Sequence, residues 1–428
     1  MWARKRLDIG WTDVVVGFLR NLLPGNAARR AARLESRLPD PARALACLSV
    51  RTGFDLLWQA QALPAGDEVI FSAVTIHDMP RIAAEHGLVP VPADLDLTTL
   101  APNLDALAAA LTPRTRALVV AHLFGTRLDL TPYVAFARAH GLLLIEDCAQ
   151  AWAGPGFTGD ARADVSMFSF GTIKSATAMG GAVLYVRRPE LLARMRELHA
   201  AYPPASRAWF ARRLIKNSFM MAVSLRPWYG LFVGLCRLAG QDYDRVVNGS
   251  VRGFPGPEFL ARIRKRPPTA LAALLDRRLT GYNRARLDRR TQLGRRLLER
   301  LGPGAPCPGA AQPAHNFWVF SVQSADPAAL IRRIFTAGFD ATQGQSLCAI
   351  EPPAGREALA PENGRRLLRE VVFLPLYPAL TDRALERLAA AVLAALPAAT
   401  PDASVAPVVV GTPAASAAAA RELQSVAH

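Results

Sequence analysis

An acid that closes one apolar run and a lysine placed just beyond another are the first residues in this chain able to share a reaction. Leu142–Ile145 is apolar throughout and leads directly into Glu146-Asp147, as a buried parallel strand does when it ends at a site. Val165–Phe170 is a second such stretch; Gly171 follows it, and Lys174 stands in a small-residue segment closed by Gly180-Gly181. A lysine among small residues has room for a planar partner, and burial lowers its pKa, so its amine can form a Schiff base with an aldehyde. A carboxylate at a strand end can hold a pyridine nitrogen protonated. Together these are what a pyridoxal 5′-phosphate (PLP) site requires: an anchor, and a charge that keeps the ring able to accept electrons from a carbanion.

Around this pair the sequence resembles the DegT/DnrJ/EryC1/StrS family of PLP-dependent sugar aminotransferases. The family's E-D-x-A-Q reads Glu146-Asp147-Cys148-Ala149-Gln150 here, and its S-F-x-x-x-K reads Ser169-Phe170-Gly171-Thr172-Ile173-Lys174. Its Gly-Gly before a strand reads Gly180-Gly181. Upstream, Leu48–Phe54 stands where the family has S-G-T at a helix start, and Pro64–Val69 where it has P-G-D-E-V before a strand. The resemblance implies an α/β protein of PLP-dependent transferase fold type I, like aspartate aminotransferase, with a large parallel or mixed-sheet domain and a small C-terminal α/β domain. It implies an aminotransferase that takes an amino group, with glutamate as the expected donor, and gives it to a keto-sugar carried on a nucleotide or a lipid. Lys174 would carry the cofactor and move the proton, Asp147 would pair with the ring nitrogen, and Gln150 would lie over the ring or near its 3-oxygen. Thr52, Gly53 and Ser169 would hold the phosphate, the first two at a helix N-terminus, where amide groups favour anions. Sites of this fold lie between subunits, so a homodimer is expected.

The chain departs from the family pattern in places. Arg51 stands where a glycine is usual, and Met179 where an acid often precedes Gly-Gly. Ile76 and His77 follow Thr75 where many relatives carry an aromatic residue, which makes His77 the candidate to stack on the ring. The asparagine loop that reaches a neighbouring subunit's phosphate has no clear counterpart. These departures leave open a non-catalytic relative that serves as a regulator or scaffold. A third reading, a PLP-dependent sugar dehydratase, needs a histidine in place of the anchoring lysine, and Lys174 stands against it.

The elements that must position these residues follow from periodicity. Strand-like runs at Val69–Phe71, Leu88–Val91, Ala117–Ala121 and Leu142–Ile145 alternate with helical patterns at Leu104–Leu111 and Pro132–Ala139, which predicts a parallel α/β sheet with ligands at the strands' carboxyl ends. Residues 1–40 read as an N-terminal helical arm packed on the body, including a helix over Ala27–Leu38, and residues 41–200 as the large domain. Residues 201–280 form a basic, apolar insert. One helix is expected from Leu271 through Arg300, a strand at Phe317–Phe320, helices at Asp326–Ala337 and Arg383–Leu396, and a small domain over 281–397. The Ala/Pro/Ser-rich segment 398–428 lacks an apolar pattern and reads as a disordered tail.

Of the net charge of +16, residues 201–300 carry 21 Lys/Arg against 6 Asp/Glu. No nucleic-acid-binding motif accompanies these bases, and bulky apolar residues run among them, so nucleic acid is excluded as the partner. Arg207, Arg212, Arg213, Lys216, Arg226 and Arg237 recur among Trp209, Phe210, Phe219, Trp228, Tyr229 and Phe232, a pattern suited to peripheral contact with an anionic membrane. No apolar run approaches the roughly 20 residues of a membrane span, and Val14–Leu19 is too short for a signal peptide. Five scattered cysteines lack metal-ligand spacing, so no metal is expected and Cys148 reads as a packing residue. The expected location is cytoplasmic, at the inner face of the membrane if the basic insert attaches there.

Overall fold

A computed structural model of the chain describes residues 1–241, 243–244, 258–344 and 346–396. The expected tail over 398–428 and the turn-rich connector Arg252–Pro257 lie outside the described residues. The first strands of the fold are β1 (Ala44–Cys47), β2 (Glu68–Ser72), β3 (Val74–Ile76) and β4 (Val89–Ala93). They are followed by β5 (Thr115–Ala121), β6 (Leu143–Asp147), β7 (Val165–Ser169) and β8 (Ala182–Val186). All but β3 form a sheet of order β1-β8-β7-β6-β5-β2-β4. The pairs from β4 across to β7 are parallel, whereas β8 runs antiparallel to both β7 and β1. The sheet is therefore mixed rather than all parallel, and the reversed strand lets the chain pass from β7 to β8 by a short loop instead of a helical crossover. That loop carries Lys174.

Both faces of the sheet are covered, which is why its strands read as continuous apolar runs. Val69, Phe71, Val119 and Ile145 face α3 (Val50–Gln61), α4 (Asp78–Glu85) and α7 (Pro189–Ala201), while the alternate residues Ile70, Leu118 and Leu144 face α5 (Leu104–Ala110) and α6 (Thr131–Ala139). At the β1–β8 end this second face is closed by α1 (Trp11–Leu22) and α2 (Ala27–Glu35) through Val14 and Leu34. The arm is also tied by charge: Arg278 Nη1 donates to the buried Asp13 at 2.8 Å, and Ala46 N to Glu35 at 2.8 Å.

The basic insert is not a separate layer. Its helices are α8 (Arg207–Val223), α9 (Arg226–Leu238), α10 (Phe259–Ile263) and α11 (Thr269–Thr280). Phe259 and Ile263 belong to the core on the α3 face, and Leu271, Leu274 and Leu275 to the core under α1. Residues 1–396 form one compact unit. The single helix expected from Leu271 to Arg300 is two, α11 and α12 (Ala285–Leu301), because Gly281 caps the first and Asn283 accepts from Ala285 N to start the second. The C-terminal part keeps its own core, built from Leu293, Leu297, Phe320, Leu330, Leu385 and Leu388. Its framework is the antiparallel pair β9 (Phe320–Gln323) and β11 (Val371–Leu374), with α13 (Pro327–Thr336), α14 (Glu362–Glu370) and α15 (Asp382–Leu393). The strand expected at Phe317 begins only at Phe320; Phe317 has φ +48°, and a Cβ on Gly294 would lie 2.3 Å from its ring, so that ring sits directly on the α12 backbone. Between β9 and β11, β10 (Leu347–Ala349) pairs with β3 and brings the C-terminal region over the end of the large sheet.

Candidate active site

The carboxyl ends of neighbouring strands converge on one cavity of about 850 Å³, whose walls include Asp147 at the end of β6, Ser169 at the end of β7, Thr75 in β3 and His122 just after β5. Lys174 enters from the β7–β8 loop. Ala176, Met179 and Gly181 have φ of +50°, +64° and +88°; glycine adopts this region freely, whereas the first two carry a Cβ in it and are held there by hydrogen bonds, Ala176 N to Asp8 and Met179 N to Thr177 Oγ1. Lys174 N donates to Gly171 O at 3.0 Å and Thr177 Oγ1 to Gly171 O at 2.7 Å, so the lysine backbone is held from inside the loop.

Burial pushes the Lys174 amine down to about 7; the nearby Asp147 charge opposes the shift and Arg51 adds to it. Its Nζ lies 3.9 Å from the centre of the Trp318 ring. Trp318 is fixed in turn, with Nε1 donating to Ile173 O at 3.0 Å, and Lys5 Nζ donates to Trp318 O at 2.9 Å. Burial, together with the charges of Arg290 and Lys174, holds the Lys5 amine well below its ordinary value. The N-terminal segment thus reaches the site, and Asp8 reinforces it by accepting from Ala176 N, Tyr282 Oη and Arg286.

Asp147 is raised above the ordinary carboxyl range by burial, against the pull of Ala149 N, which donates to its Oδ1 at 2.9 Å, and of the Lys174 charge. Glu146 has a different task. His122 Nδ1 accepts from Leu128 N at 3.1 Å, which leaves the proton on Nε2 to donate to Glu146 Oε1 at 2.9 Å. Glu146 also accepts from Asp160 N at 2.9 Å and from the Ser166 hydroxyl, so it ties the strand ends together behind the cavity. His122, Glu146 and Cys148 place ligand-type atoms within 4.8 Å of one another, but these hydrogen bonds already occupy Glu146 and both nitrogens of His122. Burial and the adjacent Glu146 raise the Cys148 thiol well above its ordinary pKa, which leaves it a packing residue.

The other residues expected at the cofactor fall unevenly. Gln150 lines the cavity, its Oε1 accepting from Phe124 N at 2.9 Å, and Ser169 lines it beside the Lys174 loop. His77 is on the wall but exposed, at the N-cap of α4. Thr52 and Gly53 require correction. Thr52 is fully buried with its hydroxyl donating to Ile263 O at 2.8 Å, and its amide is taken by Ser49 Oγ at 3.2 Å. The Gly53 amide donates to Ser49 O at 3.2 Å, and a Cβ there would lie 2.4 Å from Leu184, so this glycine exists to bring α3 close to β8. The wall at this corner is instead Ser49, Val50 and Arg51, the residues immediately before them.

Arg213, read from sequence as part of a membrane-facing set, turns inward. It donates from Nε to Met179 O at 2.6 Å and from Nη2 to Thr172 Oγ1 at 3.2 Å, and burial with the neighbouring Arg51 charge lowers it to about 10. Arg51 pairs with Asp78 on the same wall, and the two guanidinium groups beside Ser49 and Thr172 leave this corner net positive, which suits a phosphate. A PLP molecule fits this set. Its ring N–H would give the buried Asp147 the cation that burial otherwise denies it, its aldehyde would meet an amine already shifted towards neutrality, and Arg51, Arg213, Ser49 and Ser169 would hold its phosphate. Arg213→Gln is expected to weaken PLP affinity about tenfold or more while leaving the lysine reactive, as read by titrating cofactor absorbance. Only Ser169 of this phosphate set was identifiable by motif. Arg213, Trp318 and Lys5 carry no local signature.

This fold and site define a PLP-binding protein of fold type I. Residues 28–212 match the DegT/DnrJ/EryC1/StrS aminotransferase family. The cofactor of that family is PLP. The chain is 31% identical over 230 residues to dTDP-4-dehydro-2,3,6-trideoxy-D-glucose 4-aminotransferase of Saccharopolyspora spinosa, covering 53% of this chain and 57% of that protein. It is 38% identical over 181 residues to L-glutamine:2-deoxy-scyllo-inosose aminotransferase of Streptomyces kanamyceticus, covering 41% and 42%. The chain thus spans about half the length of the curated relatives it matches. Among solved structures it is similar to the aminotransferase TlmJ from Streptoalloteichus hindustanus, with a TM-score of 0.65 and 22% identity over 90% of this chain and 96% of that one.

Proposed function

We propose that the protein is a PLP-dependent aminotransferase that delivers an amino group, with glutamate as donor, to a keto-sugar carried on a nucleotide or a lipid, and that it works as a homodimer in the cytoplasm. The observation that carries this reading is an amine lowered to about 7, Lys174, in the same cavity as the buried Asp147, within a domain of a sugar-aminotransferase family. The names of the relatives support it: one acts on a nucleotide-linked deoxy-keto-sugar and another on a keto-cyclitol. When bound, PLP supplies a ring that withdraws electrons from the substrate carbon losing its proton. The chain's own residues do the rest. Lys174 Nζ, neutral near physiological pH, takes the proton from that carbon and returns it to the cofactor side. Asp147 would pair with the ring nitrogen and keep the ring cationic. Trp318 restrains the lysine from swinging out of the cavity, and Gln150, locked by the Phe124 amide, would border the ring.

Incubating the PLP-loaded protein with glutamate or glutamine and a panel of nucleotide-linked keto-sugars tests this reading. Amino-sugar formation and 2-oxo-acid release are expected together in equal amounts. Conversion of the cofactor by an amino donor with no acceptor in the panel aminated would restrict the protein to a half-reaction, and no conversion by any donor would favour the regulator or scaffold reading.

A further inference from the structure

We propose that α8 and α9 dock the protein onto an anionic lipid bilayer and hold the candidate cavity beside it. The observation is the distribution of exposed apolar side chains. Among the described residues, the exposed large hydrophobics other than Leu104 and Leu393 all lie in α1 with its cap or in the α8–α9 pair. On α9 they recur as Trp228, Leu231, Leu235 and Leu238, one stripe at helical spacing, opposite the buried Tyr229 and Val233. On α8, Ile215 and Phe219 are 60% and 64% exposed. Neither helix is long enough to span a bilayer, and the two meet at a bend of 100°, which suits helices lying in an interface rather than crossing it.

Charge selects the occupant. Residues 205–240 hold six Lys/Arg and no Asp/Glu. Arg213 faces the cavity, Arg207 donates to Asn21 O, and Arg226 and Arg237 stack on the rings of Trp2 and Phe335, but Arg212 and Lys216 remain exposed beside Ile215 and Phe219. The neighbouring α1 and α2 expose Arg20, Arg29 and Arg33, while their two acids, Asp13 and Glu35, are buried and paired with arginines. A second copy of this chain seated symmetrically on α8–α9 would oppose these bases with the same bases and no acid to neutralise them. A bilayer carrying anionic headgroups accepts the aromatic and leucine side chains between its acyl chains and the bases at its surface. The inner side of the same pair lines the cavity through Met220, Val223, Tyr229 and Phe232, so docking brings the cavity to the lipid surface.

Flotation of the full PLP-loaded chain tests the proposal, with vesicles of phosphatidylcholine alone and of phosphatidylcholine mixed with phosphatidylglycerol. The protein is expected to float with the anionic vesicles at low salt, to be released as salt rises, and to ignore the neutral ones. Leu231→Glu/Leu235→Glu and, separately, Arg20→Glu/Arg212→Glu are each expected to reduce the bound fraction about tenfold or more, with PLP uptake and size in solution unchanged. The proposal fails if the wild type stays at the bottom with anionic vesicles at low salt, or if both variants float as it does. It fails equally if Leu231→Glu/Leu235→Glu splits a dimer into monomers, which would assign the face to a second copy.

Discussion

Lys174→Ala is expected to lower amino transfer by about 10³-fold or more, because it removes both the covalent anchor of PLP and the base that moves the proton. The substitution leaves the phosphate-binding wall intact, so the variant still binds PLP reversibly. Borohydride reduction separates the two properties: in the wild type it fixes the cofactor onto Lys174, found by peptide mapping, and in the variant it fixes none. The reaction with added PLP has its own pH signature. An amine lowered to about 7 is mostly neutral above that pH, so capture of the aldehyde should rise through pH 7 and level off, whereas an ordinary lysine would still be gaining reactivity near its usual pKa of 10.5. A pyridoxyl group mapped to Lys5, which lies against the same tryptophan, would reassign the anchor.

Asp147→Asn is expected to keep PLP bound yet lose on the order of 10²-fold or more in turnover. The amide accepts from the Ala149 amide as the carboxylate does, so the end of β6 should keep its shape. What it lacks is the negative charge that holds the ring nitrogen protonated. The loss should fall on kcat, with KM for both substrates little changed, because the charge acts on proton removal rather than on binding. Glu146→Gln is the contrasting control: Glu146 lies behind the cavity against His122, Ser166 and Asp160, so its replacement should lower the melting temperature more than it changes catalysis. The reverse pattern would mean that the two adjacent acids have been assigned the wrong roles.

Motifs read in order along the chain single out Asp147, Gln150, Ser169 and Lys174, which the structure brings to one cavity, because strand ends and the loop that follows them are local features. An apolar run that stops at an acid ends a buried strand, and the Gly-Gly pair supplies the left-handed backbone at Gly181. The α/β class was legible for the same reason, since alternation of strand and helix periods is local. The placing of Thr52 and Gly53 at the phosphate was not correct, because a helix N-terminus in sequence does not say which of its residues faces the ligand. Ser49 takes the Thr52 amide and Leu184 fills the space beside Gly53. The reversed direction of β8 also escaped the sequence, as strand direction depends on how the chain returns. Only the tertiary structure could bring Trp318, Arg213 and Lys5 to Lys174, for each comes from a remote segment whose local pattern describes only a strand, an amphipathic helix or an arm. The same holds for the arginines of the insert. Spacing alone treats Arg213 and Arg212 alike, but one turns inward to Met179 and Thr172 while the other remains exposed, because packing of Phe210 and Leu214 against the large domain sets the rotation of α8.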